Sequence, residues 1–394
     1  VETNQQAPEK QVSFWNDPEK RAVIFQVIAV GLVVGMFYYI INNALTNMEQ
    51  RGITTGFDFL SREAGFGIIQ SLIDYSEQST FGDTFIVGLL NTILISVIGI
   101  FLATILGFVI GVARLSNNWI VSKMAMVYIE IFRNIPLLLQ MFFWYFAVLR
   151  TLPLPKQSVN INDSIFLNIR GLYLPDPIAG DGFSWVIGAL VGGIIASFCL
   201  VRFERKRQQE SGQTFPLLLP ILGLVIVLPT LVFFIIGAPL TWDYPALKGF
   251  NFVGGITVIP EFMALLTALV VYTAAFIAEV VRSGIEAVPK GQSEASSSLG
   301  LSFGLNLRKI IIPQAMRVII PPLTNQYLNL MKNSSLATAI GYPDLVSVFA
   351  GTTLNQTGQA IEVIFMTMGV YLTLSLSLSF IMNAYNKRVA LVER

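Results

Sequence analysis

Histidine is absent from this 394-residue chain, and cysteine occurs once, as Cys199. The first absence removes the commonest general base and the commonest metal-ligating side chain. The second leaves no intrachain disulfide and no cysteine cluster for a metal. Inside its apolar run, Cys199 reads as a small buried hydrophobe. Charge is scarce as well. Only 12% of residues are charged, against about 25% in an ordinary globular domain, and a net charge of +1 offers no electrostatic grip on nucleic acid. No Gly-rich phosphate loop ending in Lys-Ser/Thr occurs, so the chain lacks the usual means of binding ATP.

Apolar sequence is what remains: 54% of residues are hydrophobic. The runs recur at lengths near 20 residues, enough to cross a hydrocarbon core of about 30 Å. They predict eight helical membrane segments, at about 22–41, 85–113, 124–149, 183–201, 215–236, 259–282, 315–338 and 361–384. The expected fold class is therefore an all-α polytopic membrane protein. The first run is too long for the apolar core of a cleavable signal and follows a charged stretch, so it reads as a retained span. Basic residues crowd alternate connections: Arg202, Arg205, Lys206 and Arg207 in one, Arg282, Lys290, Arg308, Lys309 and Arg317 in another. The intervening connections hold few, which places both termini in the cytoplasm. The segments 42–84 and 154–182 then read as long outer loops, the first rich in acids and the second in prolines.

The most informative stretch is 286–333, a polar, Gly-punctuated segment between hydrophobic runs. Gly291 to Leu299 has helix-compatible residues, and Gly300 tolerates the left-handed backbone that ends a helix. A helix–turn–helix break at Gly300 is expected, with Gly304 and Asn306 continuing the turn and a basic amphipathic segment restarting at 307 and ending at Pro313. Small residues at the tip, Ala295 and Ser296 to Ser298, permit close approach of another protein. Further along, Asn325, Asn329 and Asn333 recur every four residues beside Lys332, Ser334 and Ser335, a polar stripe on one helix face. Amides donate and accept at once, which suits either a path for a zwitterion or helix–helix hydrogen bonding. Glu130 and Arg133, and again Glu279 and Arg282, sit three apart and share a helix face. They read as charges lining or latching a path, or as interfacial ion pairs. Pro136 removes a hydrogen bond within the third segment and marks a kink at which a gate could hinge. Tyr342-Pro343-Asp344 and the stretch 352–358 read as outward polar surface suited to docking a partner.

Glu294-Ala295, Gly300 six residues after the glutamate, and Pro313 together resemble the EAA loop of ABC-importer permeases. The stretches 272–285, 128–140, 319–327 and 333–337 are similar to the polar amino-acid branch of that family. Ser296 in place of a second alanine, and Ile312 in place of leucine, are the departures. The resemblance implies a type I importer permease fold of the longer, roughly 400-residue form, in a bacterial inner membrane. It implies partners: an ABC ATPase dimer that binds the ATP and Mg, a second homologous permease (hence a heterodimer), a periplasmic substrate-binding protein, membrane lipid and an amino-acid substrate. The chain itself would be non-catalytic and hold no cofactor or metal. Coupling to the ATPase would fall to Gly291, Glu294, Ala295, Gly300 and Pro313. Glu279, Asn325, Asn329, Lys332, Asn333 and Ser334 would line the substrate path, and Glu130, Arg133 and Pro136 would serve the gate. The organisation expected is a cytoplasmic segment 1–21, a first span and outer loop 22–84, permease core at 85–149 and 259–388, an insertion 150–258 carrying two extra spans, and a tail 389–394. An ion-coupled carrier using Glu279 and Lys332 as coupling charges is the alternative.

Overall fold

The computed structural model describes residues 18–50, 55–212 and 215–389. Most of the expected segment 1–21 and of the tail 389–394 lies outside them. Eight helical units correspond to the eight expected segments. Six are long and apolar enough to cross a membrane: α1 (Pro18–Gln50), α2 (Phe81–Arg114), α5 (Phe183–Ser211), α6 (Leu218–Ile235), α7 (Pro260–Glu286) and α10 (Ala360–Val389). A seventh is the pair α3 (Trp119–Asn134) and α4 (Leu137–Thr151). Between α7 and α10 lie a short helix α8 (Lys290–Ser298) and the eighth unit, α9 (Ile312–Asn333). α9 is too polar to pass as a span on composition.

α2, α7 and α9 form the centre. Gly99, Ala103, Gly107 and Gly111 are all buried, a stripe at four-residue spacing along α2. A Cβ added at Gly107 would lie 2.6 Å from Ile277 Cβ, and one at Gly111 2.7 Å from the Ala278 carbonyl. Small residues thus let α2 and α7 approach backbone to backbone, the usual solution where lipid removes the hydrophobic drive for helix pairing. Leu265, Leu269, Ile277, Ile319 and Leu330 fill the seam. α1, by contrast, buries none of its apolar window against the rest of the chain. A helix so exposed fits a hydrocarbon surrounding, because its backbone bonds are all internal.

The third segment breaks where a kink was expected. α3 and α4 meet at 104°. Pro136 disfavours helical backbone in the residue before it, and Ile135 is extended at φ −99°, ψ 127°. Neither arm reaches about 30 Å alone, since each has roughly 15 residues rising about 1.5 Å apiece. Gln140, which is buried, donates Nε2 to the freed carbonyls of Phe132 (3.0 Å) and Ile135 (2.9 Å). The bend is therefore a braced elbow.

The insertion differs from expectation in its outer parts, which carry strands. Antiparallel β1 (Val159–Ile161), β2 (Ile165–Asn168) and β3 (Gly171–Leu174) continue through β8 (Ile256–Val258) in the order β1-β2-β3-β8. β4 (Asp176–Ala179) pairs β5 (Leu240–Asp243), and β6 (Ala246–Lys248) pairs β7 (Asn251–Val253). The two connections that flank the α5–α6 hairpin are thereby zipped together, and β8 runs directly into α7. Cys199, expected to be buried, is exposed on α5. That helix packs chiefly on α6 and leaves its other faces open.

Candidate functional site

α8 projects from the end of α7 after Pro289 turns the chain. Gly291, Glu294, Ala295 and Ser298 are exposed, and their spacing puts them on one helix face. Among the described residues, Glu294 makes no ion pair. Ser296 faces the other way and is 1% exposed. The helix ends as the glycine required: Gly300 has φ +75°, its N–H bonds the Ser297 carbonyl (2.9 Å), and the Leu301 N–H bonds Ser296 (3.2 Å). These two bonds make a Schellman closure. Leu299, 79% exposed, stands at the tip.

Two expectations for this loop are corrected. Gly304 and Asn306 do not continue the turn; both lie in a short helix, Phe303–Asn306, and Asn306 is buried. Its Nδ2 donates to Ser293 Oγ (3.0 Å) and so ties α8 to the following helix. The helical segment also does not end at Pro313. It passes through a π-turn, Leu307–Ile311, directly into α9. The wider turn shifts the bonding register, the Ile312 N–H bonding Leu307, at the point where a proline ring would otherwise meet a carbonyl.

α9 is two-faced. Ala315, Ile319, Ile320, Leu323, Tyr327, Leu330 and Met331 are buried. Val318, Pro321, Pro322, Asn325, Asn329 and Lys332 are exposed along the opposite face, and Asn333 is half-buried. Ser334 leaves the stripe: it is fully buried and donates to the Met331 carbonyl (2.7 Å). Lys332 has no ion-pair partner among the described residues. With Ser335, Val346, Thr367, Met368, Tyr371, Leu372 and Ser375 it lines a cavity of about 450 Å³.

The charged pairs behave differently from one another. Arg282 forks between Glu279 and Glu286 on its own helix. Glu130 and Arg133 do not pair among the described residues. Glu130 accepts from Asn134 Nδ2 (3.2 Å), while Arg133 lies 5.3 Å from the Phe276 ring centre, on α7. Both flank the elbow at Pro136. Glu279 answers to Arg282 on its own helix rather than to the Asn stripe.

Tyr342-Pro343-Asp344, expected as docking surface, is buried. Tyr342 and Asp344 are both fully enclosed. Asp344 accepts the Ser347 N–H (2.9 Å) and the Tyr371 hydroxyl (3.3 Å). Asn91 donates Nδ2 to the Pro343 and Gln70 carbonyls (2.9 Å each), Tyr342 donates to the Asn91 carbonyl (3.2 Å), and the Leu345 N–H bonds Thr92 Oγ1 (3.0 Å). Burial raises the Asp344 carboxyl from 3.8 to about 7. Nothing in the local sequence announces this network, since its partners lie some 250 positions apart.

Residues 208–391 match the family described as binding-protein-dependent transport system inner membrane component. The chain is 58% identical over 97% of its length, and 97% of the relative's, to the putative amino-acid ABC transporter permease protein YhdX of Escherichia coli (strain K12). It is 50% identical to the general L-amino acid transport system permease protein AapQ of Rhizobium johnstonii, covering 96% of this chain and 94% of that one. It is 40% identical to the glutamate/glutamine/aspartate/asparagine transport system permease protein BztB of Rhodobacter capsulatus, covering 96% of each. Among solved structures it is similar to an amino acid ABC transporter with histidines, at 20% identity and a TM-score of 0.46, covering 78% of this chain and 95% of that one.

Proposed function

This chain belongs to the binding-protein-dependent inner-membrane permeases of amino-acid ABC transporters, and on that premise we propose that it forms one translocating half of an ATP-driven amino-acid importer. It is a multi-pass membrane protein and a transport subunit. Family membership sets aside the ion-coupled carrier, for which Glu279, already held by Arg282, would be a poor coupling charge.

The observation that carries the reading is one run of helix from 303 to 333. At its inner end α8 offers a small-residue face with Glu294; at its outer end the open face carries Asn325, Asn329 and Lys332. The partner for α8 is an ABC ATPase dimer, which binds the ATP and Mg that this chain has no loop to hold. A second, homologous permease faces the open stripe, so the path runs between the two. An external binding protein delivers the substrate. The relatives' range, from general L-amino acids to the acidic residues and their amides, favours the backbone zwitterion as the common element recognised. The Lys332 ammonium suits an α-carboxylate, and the asparagine amides suit either end of the zwitterion. The braced elbow at Pro136, with Glu130 and Arg133 beside it, would act as the gate, and the Glu279–Arg282 pair as a latch on α7.

Replacing Glu294 with lysine in the complete transporter tests this reading. ATP hydrolysis should persist while uptake falls at least about tenfold, with the protein still in the membrane. Unchanged uptake would remove the coupling role.

A further inference from the structure

The segment 55–80 is a fixed structure on the outer side. Its Phe59 is 1% exposed and sits among Phe81, Leu345, Phe349 and Val363. The Gly56 N–H bonds Glu362 Oε1 (2.7 Å), and the Ala64 and Gly65 N–H groups bond the Ser79 and Glu77 carbonyls (2.8 and 3.0 Å). Tyr75 donates to the Phe66 carbonyl (2.8 Å), closing the outer end of the loop upon itself. From this fixed base the chain presents Ile69, Leu72 and Ile73 to solvent, 81%, 52% and 38% exposed. Asp74 and Glu77 flank them in the chain and Asp58 and Glu63 stand in the base of the same segment, all four exposed, against Arg62 alone as a described cation of the segment.

We propose that this apolar tip with its acidic rim is the docking surface for the external binding protein, whose facing patch is apolar at its centre and basic at its edge. The inference rests on the importer reading above. Insertion of the tip into lipid would drag the Asp74 carboxylate, next to Ile73, toward hydrocarbon, which is costly. A water-soluble partner with a basic rim pairs those carboxylates instead, and complementary charge steers its approach. A tip already tied down loses little conformational freedom on binding.

The tip also has a line inward. The Gln70 carbonyl, between Ile69 and Leu72, takes its bond from Asn91 on α2, and the same amide holds Pro343. Two residues on, Leu345 and Val346 lead to the wall of the cavity that contains Lys332. A partner that displaces the tip acts on one side chain from the cavity-lining connection.

The test uses the complete transporter in proteoliposomes with its purified binding protein. With Ile69→Asp and Leu72→Asp together, the binding-protein concentration for half-maximal uptake should rise about tenfold or more. Maximal uptake and the ATP hydrolysis measured without binding protein should stay as in the wild type. Both residues are exposed, so the changes spare the packed base. Asp74→Asn with Glu77→Gln should flatten the salt dependence of uptake. A photo-crosslinking side chain at position 69 should capture the binding protein. An unshifted half-saturation, or capture of the second permease instead, overturns the docking surface. If the wild-type complex shows no ATP-dependent uptake, the importer reading fails; normal wild-type uptake with unshifted variants sinks only the surface.

Discussion

Substitution of Gly300 separates a backbone requirement from a steric one. At φ +75° the residue lies in the left-handed region, and no heavy atom lies within 4 Å of the position an added Cβ would take. Alanine therefore meets nothing, and its whole penalty is the left-handed backbone, about 1 kcal/mol. Asparagine tolerates that backbone better and should cost a few tenths, whereas a β-branched valine should cost about 2 kcal/mol or more. α8 has nine residues, short of the roughly 12–15 at which an isolated helix becomes stable. Its closed form is thus held by the turn, the buried Ser296, and the Asn306–Ser293 and Gln314–Gln292 bonds. When the binding-competent form is marginal, apparent affinity falls with its population. The ATPase should then bind up to about fivefold more weakly to Gly300→Ala and about thirtyfold more weakly to Gly300→Val, with Gly300→Asn near wild type. Titration of the ATPase onto permease in detergent, with uptake per ATP hydrolysed as a second readout, measures both. Asparagine is larger than alanine, so crowding against the ATPase would reverse their order. A reversed order, or three equal effects, refutes the backbone explanation.

Three further outcomes follow from other contacts. Gly111→Ala drives a methyl to 2.7 Å from the Ala278 carbonyl and 2.8 Å from Val281 Cβ, and should cost about 1–3 kcal/mol. The thermal midpoint in detergent should drop, while Gly31→Ala, with nothing within 4 Å, should leave it unchanged. Gln140→Leu strips the donors from two carbonyls at the elbow and should destabilise by about 1–3 kcal/mol, read by the same melt and by faster proteolysis near residue 135. Asp344 has its carboxyl raised from 3.8 to about 7 by burial, so the fold retains a proton that the unfolded chain releases. Its favourable contribution is complete below about 4 and is lost as pH rises to about 7, because the folded state binds more protons across that window. Asp344→Asn should flatten the fall in thermal midpoint between pH 5 and pH 8; an unchanged slope would exclude Asp344 as its source.

Much of the candidate site is legible in one sequence because its signals are local. Gly300 marks a left-handed turn, and the stripe on α9 appears at four-residue spacing. Seven of the eight segments follow from apolar length; α9 is too polar for that test and shows instead through its two-faced pattern. The α2 stripe, Gly99 to Gly111, is equally local and needed only the expectation that α2 meets a neighbour at backbone distance. Other features have no local signal. β1 to β8 are strands of three or four residues, too short to show a clear alternation, and the pairings β3–β8 and β4–β5 lie across a helical hairpin. Asp344 looks like an ordinary loop carboxylate; what encloses it is Tyr371, with Asn91 donating to the Pro343 carbonyl and Thr92 accepting the Leu345 N–H beside it, brought there by α2 and α10. The acidic, proline-free character of 55–80 was visible, but its fixed shape depends on Phe59 entering a pocket made by residues near 81, 349 and 363.

The prolines show how one residue type can yield opposite mechanics. Pro136 breaks its segment because Ile135 takes extended backbone, and Gln140 then supplies donors to the carbonyls left over, so the bend is stable. Pro313 breaks nothing, because the π-turn before it has already changed the bonding register. Pro321 and Pro322 sit within α9 without ending it. Each deprives the carbonyl four residues earlier of its donor, here those of Arg317 and Val318. Residues four apart share a helix face, and Val318, Pro321 and Pro322 are exposed on the face that carries Asn325. Two carbonyls short of their i+4 donors thereby extend the polar stripe inward from Asn325 toward α8. On the proposed function, a helix made polar by its own backbone in this way would line the path and still transmit displacement from α8. On the same reading the α3–α4 elbow, whose break is bridged by the two Gln140 bonds, would take up that displacement as those bonds are exchanged.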